Sequence, residues 1–450
     1  DNVNDENNIN DKYNEEIFNI NKLDIQQAPQ ISNVIYPNSN SIERLKEIKK
    51  LKLEKESNKK LNKKHIEKLE NKIKKEINKF DIKQVYGETG FFNIFEKIDK
   101  KGSNVTYKYK DNIVKEFGEI FAYENLHKYS SKLKLFIDNV IASKNGGIIM
   151  IYSQFVSSGA IPIGMALEHI GMNKYNGKNL LKGITKRKDL KGIGDYIIIT
   201  STNNEELTSK SILNNELREA KSDKNKNGEK IKVIILGRSA MEGIDLKNIR
   251  EVHIFDAWYN LSRMEQIIGR GARNKSHSKL DIKKRNTTIY LYVNLIKGSK
   301  KETIDFRMYR FAVIKQKKIS MIERIMKKNS IDCYLNHDIL NYTNIKQNII
   351  TSRGRYIKNY DIGDKEDSRL CDYGKCNIKC SSLVIPKSKI NIKNYKINED
   401  DSTYGKDILV YEIELIKKYI KHYFRTHNVY KIDSDTLKKK LKIKYKKVLK

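Results

Sequence analysis

Short apolar runs recurring between amphipathic segments organise the middle of this chain. GGIIMIYS (Gly146–Ser153), DYIIIT (Asp195–Thr200), KVIILG (Lys232–Gly237), EVHIF (Glu251–Phe255) and TTIYLYVNLI (Thr287–Ile296) are rich in Ile, Val and Tyr, side chains that fit a pleated, buried surface. Around them, apolar positions three and four apart predict helices at Ser131–Ser143, Ala160–Ile170, Glu205–Ala220, Ser262–Ala272 and Thr303–Lys328. Strands separated by crossover helices predict an α/β fold with a doubly wound parallel sheet. In such sheets ligands meet the loops that follow the carboxyl ends of the strands.

The flanks read differently. Residues 1–40 are Asn-rich, polar and without sustained period, which predicts a flexible start leading into the sheet domain. The first residue is Asp rather than Met, as expected of a fragment of a longer protein. Residues 41–80 form a dense Lys/Glu segment with Ile and Leu at helical spacing, predicting a solvated helix or helical hairpin inserted ahead of the main domain at 81–300. A long helix and linker are expected over 301–345. A mainly helical C-terminal extension is expected over 346–450, its last two helices, Ile408–Phe424 and Ser434–Ile443, open to a winged-helix start or to simple packing.

Charge adds a partner class. Lys and Arg number 90 against 56 Asp and Glu, a formal charge of +34, and clustered cations gain from releasing the counterions around phosphate. Lys, Asn, Ile and Tyr are abundant in every region, as in AT-rich coding, so the excess divides between polyanion contact and codon usage. Four cysteines without a regular framework predict a reducing compartment rather than a secreted scaffold. No run approaches the ~20 apolar residues of a membrane span, and DNVNDENNIN is not a signal peptide, so a soluble intracellular protein without membrane contact is expected.

The loops after the strands carry candidate chemistry. Ser153 and Gln154 follow the first strand, Thr200 and Ser201 the second, and GRSAMEGIDL (Gly237–Leu246) the third. Hydroxyl and amide groups there can hold a phosphate backbone without reading bases. Read singly, each could equally be a turn residue, and Asp245 a cap. QIIGRGAR follows at 266–273; on one helix, Gln266, Arg270 and Arg273 would share a face, so two guanidiniums could reach one phosphate. Farther on, Cys371, Cys376 and Cys380 lie close enough for three thiolates to bind zinc, with Cys333 or His337 as a fourth ligand, although ordinary buried or free thiols fit the spacing as well.

Taken together and in order, IIMIYSQF, VIILGRSAMEGIDLKNIREVHIFDAWYN and QIIGRGARN resemble motifs IV, V and VI of the superfamily two helicases. The resemblance implies a second RecA-like domain in which Arg273 is an arginine finger and Arg270 a second γ-phosphate contact, with Gln266 beside them. It places Gly269, Gly243, Glu242 and Asp245 on the nucleotide side, Asp245 facing the ribose or the motif VI arginines. Ser239 joins Ser153, Gln154, Thr200 and Ser201 against a nucleic-acid strand, DNA or RNA. Trp258 stands where relatives carry an aromatic, for interdomain packing rather than base stacking. ISNVIYP (Ile31–Pro37), YSSKL (Tyr129–Leu133), GRGARNKSHSKL (Gly269–Leu280) and SIDCYLN (Ser330–Asn336) are similar to a narrower branch, the helicases of large cytoplasmic DNA viruses. That branch includes the poxvirus early-transcription-factor ATPase, nucleoside triphosphatase I and mimivirus-type helicases. It implies viral RNA polymerase or transcription factors as partners and a virion or cytoplasmic factory as location.

One departure narrows the expectation. No Gly-Lys is followed by Ser or Thr, and the lone Asp-Glu pair, Asp5–Glu6, does not end a strand. ATP and Mg²⁺ are therefore expected to be held by an upstream RecA-like ATPase domain, with this chain inactive by itself. The alternative is a nucleic-acid-binding subunit of a transcription complex without ATPase activity of its own.

Overall fold

The computed structural model describes residues 26–57, 63–99, 105–187, 192–200, 207, 210–238, 244–299, 301–340, 342–381, 406–427 and 431–444. The Asn-rich start up to residue 25, together with Ser201, Ser239, Glu242 and Gly243, lies outside them. The chain divides into two compact units, 1–381 and 382–450, so the boundary falls inside the predicted extension.

The five predicted apolar runs become β3 (Ile148–Tyr152), β4 (Asp195–Ile199), β5 (Ile231–Leu236), β6 (Ile249–Ile254) and β7 (Thr288–Leu291), one sheet in the order β4-β5-β3-β6-β7 with every pair parallel. Side chains alternate between two cores, as a period of two requires. Ile149, Ile151, Val233 and Ile235 face one, while Ile148, Met150, Ile234 and Leu236 face the other. Both faces are covered, which explains why these strands read as continuous apolar runs rather than as alternation. From β3 the chain fills one side with β4 and β5 and then crosses to β6 and β7, so the carboxyl ends of β5, β3 and β6 lie side by side at the switch point. This is the expected RecA-like, doubly wound α/β arrangement.

Helices α4 (Ser131–Ala142), α5 (Ile161–His169), α6 (Lys210–Ala220), α7 (Leu261–Gly271) and α8 (Ile304–Asn329) fall within a few residues of their predicted bounds. Ser130 caps α4, its hydroxyl accepting from Leu133 N. At the N-terminal side, α1 (Ala28–Asn33) packs beside α8, and the charged insertion is a hairpin of α2 (Ser39–Ser57) and α3 (Lys63–Asn78). Leu51, Leu69 and Ile73 form a small core for that hairpin, and surface pairs such as Lys55–Glu70, 2.6 Å, are screened by water and add little.

Two features were not expected. An antiparallel hairpin, β1 (Phe95–Asp99) and β2 (Thr106–Tyr109), adds to one face, and a second, β8 (Lys346–Ile350) and β9 (Tyr356–Asp361), opens what was predicted as a mainly helical extension. Their alternation is weak: β9 is largely exposed, so no apolar pattern announces it. The second unit does contain the two predicted helices, α9 (Lys406–Thr426) and α10 (Ser434–Lys444). No helix among the described residues is long and apolar enough to cross a membrane.

The cysteines correct the zinc expectation. Cys333 is bonded to Cys380 and Cys371 to Cys376, so these sulfurs are not thiolates free to coordinate, and no metal-holding cluster occurs among the described residues. The inference of a reducing compartment from cysteine usage loses its support for the same reason.

Two buried titratable residues at the end of α5, Glu168 and His169, carry a pH prediction. Glu168 accepts from Leu180 N, 2.6 Å, Leu181 N, 2.8 Å, and the Tyr196 hydroxyl, 2.6 Å. Burial outweighs those bonds and raises its pKa from 4.5 to about 7, while burial lowers that of His169 from 6.5 to about 4. The stability that Glu168 contributes is complete below pH 4.5 and is lost as pH rises through 7. That of His169 is complete above 6.5 and lost as pH falls through 4. The two slopes oppose each other over the shared range. In Glu168→Gln, stability measured by urea titration should therefore improve relative to wild type by on the order of 3 kcal/mol between pH 4.5 and 7.5. A pH-independent difference would show that Glu168 titrates normally.

Candidate functional site

Motif VI is built on α7. Met264, Ile267 and Gly271 are buried on its inner face, and a Cβ at Gly271 would stand 2.9 Å from Val252 Cγ2 and 3.0 Å from Ile249 Cγ2, so only glycine lets the helix approach β6 this closely. Gln266 is exposed on the outer face, and nothing lies within 4 Å of a Cβ built at Gly269.

The helix stops at Gly271, and Ala272 has left helical geometry with φ −117° and ψ 77°. Arg273 is thus beyond the helix, not one turn along it from Arg270 as the spacing predicts. Two glycines in the final turn weaken the helix there. Arg273 returns to the expected face by another route: its Nε donates to the Gly269 carbonyl at 3.0 Å, and its backbone N–H to Ser276 Oγ at 3.2 Å.

Motif V meets both arginines. Arg273 Nη1 lies 3.5 Å from Asp245 Oδ1, and Arg270 Nη1 donates to the Ile244 carbonyl at 3.3 Å. Asp245 therefore faces the motif VI arginines. The Arg273 and Asp245 side chains are about half exposed, whereas Arg270 Nε is buried with no hydrogen-bond partner. An unpartnered guanidinium nitrogen beside a half-exposed one is a donor set suited to an oxyanion.

Motif IV departs from expectation. Ser153 is fully buried; its hydroxyl donates to Asp256 Oδ2 at 3.0 Å, and a Cβ at Gly159 would collide with it. The Gln154 backbone N–H donates to the same carboxylate oxygen, and its carboxamide nitrogen is buried without a partner. Ser153 therefore orients the loop from inside rather than presenting a hydroxyl to a strand. Thr200 is half-buried at the end of β4, against Gly237, whose N–H donates to Ile199 O at 2.8 Å.

Asp256, which sequence reasoning missed, is the hub of this end of the sheet. It accepts from Asn33, Ser153 and Gln154, and burial raises its pKa. Lys132 Nζ donates to Asn33 Oδ1 at 3.2 Å, to Phe255 O at 3.4 Å and to Asp305 Oδ1 at 2.8 Å; Ser32 Oγ donates to Asp305 Oδ2 at 2.6 Å. ISNVIYP and YSSKL supply Ser32, Asn33 and Lys132, so two of the four strings similar to the viral branch meet in one buried polar network. An acidic residue directly after an apolar strand was the available signal.

Residues 131–275 match the model of the helicase conserved C-terminal domain. That segment is a helicase C-terminal domain. The matched segment of this helicase domain runs from the start of α4 past motif VI and so encloses β3 to β6 and every motif residue above. The chain is 32% identical over 267 residues to "Putative helicase 087L" of Invertebrate iridescent virus 3, covering 58% of this chain and 24% of that protein. A "Putative ATP-dependent RNA helicase" of Acanthamoeba polyphaga mimivirus is 27% identical over 370 residues, covering 73% and 31%. "Nucleoside triphosphatase I" of Choristoneura biennis entomopoxvirus is 33% identical over 129 residues, covering 28% and 20%. The chain thus spans a third or less of the length of these relatives.

Two further arginines fix α7 in this domain. Arg263 donates to the Tyr152 hydroxyl at 2.7 Å and lies 4.3 Å from the Trp258 ring, covering the indole that was expected at an interdomain contact. Arg369 pairs with Glu265 of α7 and Glu323 of α8, each at 3.0 Å.

Proposed function

We propose that this chain supplies the arginine-bearing half of the active site of an ATP-dependent helicase or translocase. The observation that carries the reading is the joint anchoring of Arg270 and Arg273 by Ile244 and Asp245, at the switch-point end of the sheet, with donor capacity left over for an anion. Nucleotide and Mg²⁺ on an upstream RecA-like domain would supply the phosphoanhydride and the Lewis acid. Arg273 then acts as the finger that neutralises charge on the transferring group, and Arg270 holds a second oxygen. Gln266 and Gly269 leave the outer face of α7 open to the nucleotide side.

Asp245 has a positioning part. A carboxylate 3.5 Å from Arg273 restrains the half-exposed guanidinium until a stronger anion competes for it. Thr200 and the backbone beside it hold strand phosphates of DNA or RNA, and alternate closure and release of the two domains moves the strand.

In the complete protein, Arg270→Ala should reduce nucleic-acid-stimulated ATP turnover by roughly a hundredfold, the loss typical of one oxyanion donor. Nucleic-acid affinity should stay within about twofold, since phosphate contacts lie elsewhere. Unchanged turnover would reject the assignment.

A further inference from the structure

A cavity of about 500 Å³ lies at the opposite end of the sheet from the motifs. It is bounded by the turn before β3, the turn before β5, the start of β6 and the β8–β9 turn, all within the first unit. Five cations line it, Lys144, Lys226, Arg250, Lys284 and Arg353, and no carboxylate does. Lys144, Lys226 and Lys284 are exposed and make no ion pair among the described residues.

Arg250 is the built part of this cleft. It is only 4% exposed; one terminal nitrogen donates to the Ile350 carbonyl and, at 3.4 Å, to Asn286, while its Nε is buried with no partner. Gly147 lies flat against it, since a Cβ there would stand 2.4 Å from Arg250 Cγ. Lys232 lies behind the same turn, its ammonium donating to Ser143 O at 2.6 Å and to Gly147 O. Of the acids nearby, Glu251 is fully buried, accepting from Ser143, Ser352 and His253, and the exposed Glu229 accepts from Asn227 at the rim without lining the cavity. Arg250 is desolvated and makes no ion pair, the buried Glu251 acting on it only through space, so an anion entering the cleft would complete its donor set.

We propose that this cleft is a second anion site that binds a phosphate group, carried either by a free nucleotide or by a nucleic-acid end. Arg250 holds the phosphate at the base, and Lys144, Lys226 and Lys284 guide it from the rim. A cleft of this size suits a nucleotide-sized group better than a duplex.

The test is calorimetric binding of inorganic tripolyphosphate to the full chain, in an R270A/R273A background so that the motif VI assignment is read separately. The variant K144E/K226E/K284E should bind at least about tenfold more weakly at physiological salt. K46E/K49E/K50E makes the same charge change on α2 and should alter binding less than about twofold. Displacement of tripolyphosphate by ADP, or by a 5′-phosphorylated but not a 5′-hydroxyl oligonucleotide, identifies the source. No binding, equal loss in both triple variants, or displacement by neither competitor would overturn the proposal.

Discussion

Arg273→Ala in the complete protein is expected to lower nucleic-acid-stimulated ATP turnover at least about a thousandfold, the lower range for losing an arginine finger. The fold should tolerate the change. Arg273 is 43% exposed, and its ion pair with Asp245, itself 54% exposed, is worth at most ~1 kcal/mol in water. Arg273→Lys should recover little, because a point charge cannot reproduce the planar fork of donors. The decisive measurement pairs steady-state turnover with nucleic-acid affinity: loss of the first with the second preserved supports the finger. Turnover within a few-fold of wild type would move the role to another cation.

The largest stability effect is expected at Lys132. Its ammonium and the Asp305 carboxylate are each 1% exposed and lie 2.8 Å apart. Lys132→Met would leave Asp305 with hydrogen bonds from Ser32 and the Asn294 N–H but without its counter-charge. Breaking a buried pair from one side costs about 3–5 kcal/mol, because the surviving charge remains out of water. The double variant K132M/D305L removes both charges and should regain much of that loss. Urea midpoints of the two variants check this, and a single variant within 1 kcal/mol of wild type would show that the pair is not closed in solution.

Much of the sheet was legible because both faces of β3, β4 and β5 are buried, so selection for apolar side chains falls on every position. The β1–β2 and β8–β9 hairpins were not legible: β9 is mostly exposed, and nothing in its composition demands a strand. Motif VI was found by its residues but misjudged in geometry, since spacing alone cannot show that α7 ends at Gly271 and that a side-chain bond to Gly269 O brings Arg273 back. Ser153 failed for a different reason. A hydroxyl at a strand end suits either a ligand or an internal acceptor, and the acceptor, Asp256, lies 103 positions along the chain. The cysteines show the same limit, because Cys333 and Cys380 become neighbours only through the fold.

Arg369 has a mechanical consequence. One guanidinium is shared by Glu265 on the motif VI helix, Glu323 on α8 and, at 3.8 Å, Asp372 in the disulfide-closed turn. Arg324 and Lys327 clamp that turn to α8, at 3.1 Å to Cys371 O and 2.7 Å to Asp372. Any tilt of α7 against α8 must drag this bracing with it or break it. The turn thus sits as an outrigger on the motif VI helix, joined to it through the Arg369–Glu265 pair.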